Sequence, residues 1–200
     1  TNIPRVAPVL LGIALALSTR DAQAQRDRSR FGPDNRSRVD TTIAFDKNGS
    51  VTVSVMDGDI VITGWSRDQV QVHAVSEDDN IRFDASNSRL NLELNGSSHG
   101  SDARFELSVP YGVHVNARSR SGDLSVRGTR GEVEVRAQSG DVVVDDVTSR
   151  LDVSTLSGDV TASNVSGDVE IGSTSGEVKI TDVRGTVEIS TVSGDVALRG

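Results

Sequence analysis

From Ser121 to Gly200 the chain repeats itself every nine residues, and no other feature limits its folding choices as strongly. Cut into blocks, the segment reads SGDLSVRGT, RGEVEVRAQ, SGDVVVDDV, TSRLDVSTL, SGDVTASNV, SGDVEIGST, SGEVKITDV, RGTVEISTV and SGDVALRG, without insertion or deletion. The fourth position is Leu124, Val133, Val142, Leu151, Val160, Val169, Val178, Val187 and Val196. The sixth is Val126, Val135, Val144, Val153, Ala162, Ile171, Ile180, Ile189 and Leu198. Every one of these is apolar in a chain that is only 35% hydrophobic, so the pattern is not accidental. The fifth position is mostly polar, as at Glu134, Asp152, Glu170, Lys179 and Glu188. Apolar residues at i and i+2 around a polar one make a short strand with a single buried face.

A longer period lies over the short one. Ser-Gly-Asp or Ser-Gly-Glu opens the blocks at Ser121, Ser139, Ser157, Ser175 and Ser193, whereas the blocks between open with Arg130, Thr148, Ser166 and Arg184. The spacing predicts a coil of 18 residues with two strands and two turns, successive coils stacking at about 4.8 Å. One such unit cannot bury its own Val pair, but stacked units form a continuous apolar column. The expected fold is all-β: a β-solenoid of 18-residue two-strand coils, each built from nine-residue half repeats, preceded by irregular β-strand coils. Aromatic residues make up only 3% of the chain, which suits this thin architecture better than a thick globular core. Gly at each turn fits a backbone with φ > 0 or a close approach to the next coil. The Asp that follows is expected to accept local backbone N–H bonds. At Ser149, where Gly is missing, a different or strained turn is expected.

Four segments follow from the rest of the chain. Residues 1–24 resemble a signal peptide: Arg5 in a short basic start, an apolar run of 12 residues from Val6 to Leu17, then Ala22-Gln23-Ala24 as a small-x-small cleavage site before Gln25. A membrane span needs about 20 apolar residues. Cleaved export is therefore favoured over a retained anchor, with no stable membrane span after cleavage and a destination in the periplasm, cell envelope or extracellular space. Residues 25–38 hold five Arg and almost nothing apolar, the composition of a flexible basic linker. Residues 39–118 alternate in short runs such as Val51-Thr52-Val53-Ser54-Val55 and Leu90-Asn91-Leu92-Glu93-Leu94, an N-terminal β-strand region. Within it Asp57-Gly58-Asp59-Ile60-Val61-Ile62 is a degenerate copy of the repeat, so the solenoid is expected to begin before the regular repeats of 119–200. The pattern stops at Leu198-Arg199-Gly200 in mid-repeat, leaving open both a fragmentary sequence and an exposed edge capable of end-to-end self-association.

These features together resemble the bacterial DUF4097 family, which carries an adhesin label. The carriers are the export signal, Gly58-Asp59-Ile60-Val61-Ile62-Thr63-Gly64-Trp65, Val109-Pro110-Tyr111-Gly112, and the Ser-Gly-Asp-Val run ending in Thr191-Val192-Ser193-Gly194-Asp195-Val196. The likeness covers about Val39 to Gly200. It implies a β-strand repeat protein of the bacterial cell envelope and brings no catalytic residues with it.

Chemistry is harder to find. A formal net charge of −8 opposes binding to nucleic acid, which needs Lys and Arg against phosphates. The absence of cysteine excludes disulfides, thiol catalysis, iron–sulfur clusters and a lipid-modified N-terminal Cys. His73, His99 and His114 are scattered, without the converging partners that a zinc or hydrolase site requires. No enzyme activity and no cofactor are expected. The regular turn places Asp123, Asp141, Asp159, Glu177 and Asp195 above one another. Stacked carboxylates repel unless they are screened, bonded to amides or bridged by a cation. Turn capping is the preferred role and calcium the alternative; one carboxylate per coil is a thin supply for an ion that takes six to eight oxygens. Trp65 is expected as a core or cap residue of an early coil. From 121 to 200 there are 14 Asp or Glu and 7 Lys or Arg, so the repeats carry most of the net charge. The reading is a non-catalytic exported binding or surface-interaction module for an envelope protein, a cationic peptide or a glycan. A self-assembling scaffold and an envelope-stress role are the alternatives.

Overall fold

The computed structural model describes residues 37–77, 80–95 and 103–200. The expected signal peptide and the linker as far as residue 36 lie outside the described residues. Ser37 and Arg38, expected to end that linker, already belong to a strand. In chain order the upstream strands are β1 (Ser37–Ala44), β2 (Ser50–Asp57), β3 (Asp59–Trp65), β4 (Gln69–Ser76), β5 (Asn80–Ala85), β6 (Arg89–Asn95), β7 (Arg104–Pro110) and β8 (His114–Ser121). The repeats supply β9 (Leu124–Thr129), β10 (Val133–Ser139), β11 (Val142–Val147), β12 (Leu151–Ser157) and β13 (Val160–Val165). They continue with β14 (Val169–Ser175), β15 (Val178–Val183), β16 (Val187–Ser193) and β17 (Val196–Arg199).

Two sheets share the core. The first is ordered β1-β4-β7-β3-β9-β11-β13-β15-β17 and the second β16-β14-β12-β10-β8-β2-β6-β5. In the repeats every pairing is parallel, and register advances by 18 residues: Val142 faces Leu124 and Val160, while Leu151 faces Val133 and Val169. The 18-residue coil is therefore the physical unit. Fourth and sixth positions from Leu124 to Ile180 are buried between the sheets, as the alternation requires. Val187 and Ile189 are only partly covered, and Val196 and Leu198 are exposed, because β16 and β17 each have a neighbour on one side alone.

The two halves of a coil differ in a way the apolar pattern does not reveal. In first-sheet strands the fourth, sixth and ninth positions point inward, burying Thr129, Val147 and Val165. In second-sheet strands the fourth, sixth and eighth do, burying Ala137, Thr155 and Ser173. The switch is made at the eighth position of the first-sheet half. Gly128 (φ 67°), Asp146 (φ 55°), Asn164 (φ 54°) and Asp182 (φ 56°) all take the left-handed conformation, which delays the third inward side chain by one residue. Asn and Asp tolerate that conformation better than other residues with a β-carbon. In the other half, the buried hydroxyls of Ser119, Thr155 and Ser173 donate to the carbonyls of Ser121, Ser157 and Ser175, so burial leaves them bonded.

The degenerate copy upstream is a true coil. β2 pairs with β8 and β3 with β9, both in parallel, placing Val51 beside Val115 and Ile60 beside Leu124. Its other flank is covered by β6 and β7, again parallel and also one coil, although they come later in the chain. Stacking order thus departs from chain order. The remaining strands are antiparallel: β5 runs against β6, and β4 lies between β1 and β7, closing that end of both sheets. The anticipated boundary near residue 118 falls inside β8, and both sheets continue across it.

The turn at Ser149 is not the exception that a missing glycine predicted. Its neighbours in the same column, Gly131, Gly167 and Gly185, do not have left-handed φ values, and neither does Ser149. At this edge glycine answers only close approach: a Cβ on Gly167 would meet the Ser149 carbonyl.

Candidate functional site

The Ser-Gly-Asp edge is the most regular feature of the surface. Gly58, Gly122, Gly140, Gly158, Gly176 and Gly194 all have φ between 109° and 137°. From Gly122 onward, a Cβ would meet the carbonyl oxygen of the glycine one coil below. No other residue satisfies both conditions. The Asp beside Gly58, Gly122, Gly140 and Gly158 also reaches the adjoining coil rather than its own turn. Backbone N–H groups of Asp123, Asp141, Asp159 and Glu177 donate to Oδ1 of Asp59, Asp123, Asp141 and Asp159, at 3.1, 3.0, 3.0 and 2.8 Å. These four carboxylates are inter-coil staples, which corrects the local bond expected from the sequence; Glu177 and Asp195 accept no such bond among the described residues. Asp59 is the member of the ladder that sequence reasoning passed over, although Asp57-Gly58-Asp59 carried the signal.

This use of Oδ1 leaves the second oxygen of each carboxylate for anything else. Among the described residues no three His, Cys, Asp or Glu side chains gather as a metal site. Asp123, Asp141, Asp159, Glu177 and Asp195 therefore form a line of single carboxylates, not a cage. On the opposite edge Asp168 Oδ1 accepts the Thr186 N–H at 2.9 Å, a staple of the same kind. Asp145, on the outer side of the first sheet, accepts from Ser163 Oγ at 2.6 Å and Asn164 Nδ2 at 2.8 Å. Those bonds, Ser163 first, hold its carboxyl below the ordinary value of 3.8, with Arg127 adding a smaller electrostatic pull against the cost of burial.

The outer face of the second sheet carries a different acidic column. Glu134, Asp152, Glu170 and Glu188 are in register on β10, β12, β14 and β16, one per coil. Glu134 is met by Asn116 and Arg136, and Glu170 by Arg150 at 2.5 Å. The side chains of Asp152 and Glu188 have no ion pair or hydrogen bond among the described residues. Two like charges about 4.8 Å apart repel by roughly 1 kcal/mol even in water.

The histidines do not converge. His73 faces Asp40 with Nδ1 3.5 Å from its carboxylate, and His114 lies 3.7 Å from Glu132; His99 falls outside the described residues. Trp65 is half-buried at the end of β3, neither a core residue nor at an end of the stack, since β3 is flanked by β7 and β9. Its Nε1 donates to the Gln69 carbonyl at 2.7 Å, and the Arg67 guanidinium lies 4.9 Å from the ring centre. Tyr111 carries Arg130 in the same manner, at 4.5 Å.

A family model described as Toastrack DUF4097 matches residues 41–200. The chain belongs to this family. No curated protein matches it. Among solved structures, the Toastrack chain is similar to a candidate cell adhesion protein from Clostridium sporogenes, with 10% identity and a TM-score of 0.51 over 82% of this chain and 99% of the other. A candidate adhesin from Bacteroides fragilis matches at 11% identity and a TM-score of 0.30, over 80% and 97% of the two chains. At such identities the first likeness shows a shared fold, and the second carries no argument.

Proposed function

We propose that this Toastrack protein is a non-catalytic, exported cell-envelope module that holds a cationic partner on the outer face of its second sheet. The observation that carries the reading is the in-register column Glu134, Asp152, Glu170 and Glu188, two of whose members make no ion pair or hydrogen bond among the described residues. A rigid row of carboxylates at strand spacing is matched by lysines or arginines of an extended peptide, and their arrival relieves the repulsion within the row. Two concave features among the described residues are open troughs rather than enclosed pockets, which suits a surface binder better than a water-excluding reaction site. Export rests on Val6 to Leu17 and Ala22-Gln23-Ala24.

Titration of a fluorescent Lys-rich peptide into the monomeric protein tests the reading. Binding should weaken at least tenfold between 50 and 500 mM salt. The double variant Asp152→Asn/Glu188→Gln should lower affinity several-fold without shifting the melting temperature. Binding that ignores both salt and the double variant overturns the proposal. Concentration-dependent filaments without peptide binding would instead favour a self-assembling scaffold. Sequencing the exported protein from its N-terminus should return Gln25 first.

A further inference from the structure

A trough on the same side of the molecule has the opposite character. Its floor is the buried column Val55, Ser119, Ala137 and Thr155, in register on β2, β8, β10 and β12. The floor exists because the eighth position of the second-sheet half turns inward, leaving the seventh and ninth positions standing as walls. One wall bears Arg118 and Arg136; the other bears Met56, Arg120, Gln138 and Leu156. The hollow measures about 490 Å³, and its four coils span about 14 Å, three strand spacings.

Two observations set this trough apart from the rest of the surface. Acidic residues outnumber basic ones by 29 to 21 in the chain, yet three arginines and no Asp or Glu line it. The side chains of Arg118 and Arg120 make no ion pair or hydrogen bond among the described residues, while Arg136 is shared with Glu134. The exposed apolar residues point to the same place. Val196 and Leu198, inward positions by pattern, are exposed on the outermost coil because no further coil covers them, whereas Val192 stands outward in the same ninth-position column as Leu156, two coils further on. Met56 (43% exposed) and Leu156 (57% exposed) sit on coils with neighbours on both sides, and both flank the trough. Neither coil stacking nor turn geometry calls for a large apolar side chain at these two positions.

We infer that the trough binds a single-chain anionic amphiphile. Its carboxylate or phosphate head would be held by Arg118 and Arg120 on β8, and its alkyl chain would run from there along the floor, past Ala137, to Leu156. A guanidinium pairs with such oxygens through two parallel N–H bonds, and the two arginines are free to do so. An extended peptide is a poorer occupant. The strands beneath are paired on both sides, leaving no backbone donors or acceptors for it. The inference does not depend on the acidic column.

Calorimetry with dodecyl phosphate below its micelle concentration, on the full chain, tests the assignment. Saturable one-to-one binding is expected, at least tenfold weaker in Arg118→Gln/Arg120→Gln and about threefold weaker in Leu156→Ser. Dodecyl trimethylammonium should not compete. Asp152→Asn/Glu188→Gln should bind the phosphate as tightly as the parent or more so, which separates this site from the cationic-peptide face. Unchanged melting temperatures show that the variants are folded. Absence of saturable binding, or equal affinity in the double-arginine variant, overturns the proposal. So does association with anionic vesicles or an acidic peptide without uptake of the monomeric probe.

Discussion

A methyl group added to Gly140 meets the carbonyl oxygen of Gly122 and must also tolerate φ of +110°, whereas at Gly172 it meets nothing within 4 Å. Gly140→Ala should therefore cost about 1–3 kcal/mol, the usual size of such backbone strain. Gly172→Ala should stabilise by about 0.4–1 kcal/mol through a less flexible unfolded chain. Urea midpoints compare the two directly. Asp145 makes a separate prediction. Its carboxyl is held below 3.8 by the Ser163 and Asn164 bonds and then by Arg127. As pH falls, the unfolded chain takes up this proton before the folded one does. The stabilisation is complete above about pH 4 and is lost as pH drops through the lower folded value. Urea midpoints measured from pH 6 to pH 2 should fall more steeply below pH 4 in the parent than in Asp145→Asn.

Within an element, the alternation assigns opposite roles to adjacent residues. Val160 is buried on β13, while Thr161 points outward between Val143 and Lys179 of the flanking strands. Val160→Asp should destabilise by about 3–5 kcal/mol, the cost of an unpaired buried charge. Thr161→Asp, placed beside Lys179, should change stability by less than about 1 kcal/mol. Equal effects in chemical denaturation would overturn the assignment of faces. That assignment was legible from the fourth and sixth positions. The third inward residue was not, since Gly128, Asp146, Asn164 and Asp182 look like ordinary outward positions inside a strand. Their 18-residue spacing and shared taste for the left-handed region were the available signal.

At the scale of the molecule, stability should be close to a sum over coils and their interfaces. Duplicating residues 139–156 adds one whole coil, and the longer protein should remain folded with a larger urea m-value, because more surface is exposed on unfolding. Duplicating only 139–147 moves every later half repeat to the wrong sheet. Left-handed residues such as Asn164 would then occupy strands that bury their eighth position. That variant should lose cooperativity in circular dichroism melts. The same asymmetry makes the trough possible. The second sheet alone forms the trough, because only its strands sink the eighth residue.

The repeat, read along the chain, was enough to establish an all-β solenoid, an 18-residue coil and the inward column, because each depends on spacings within a few tens of residues. The Ser-Gly-Asp turn was legible as a turn for the same reason. Three matters required the folded chain. The direction of the Asp staples, the place of β6 and β7 beneath β2 and β3, and the meeting of Arg118, Arg120 and Leu156 around one trough all join residues that stacking brings together. Local spacing specifies what a strand buries; which coil lies against which is settled only when apolar faces and unpaired edges are satisfied together.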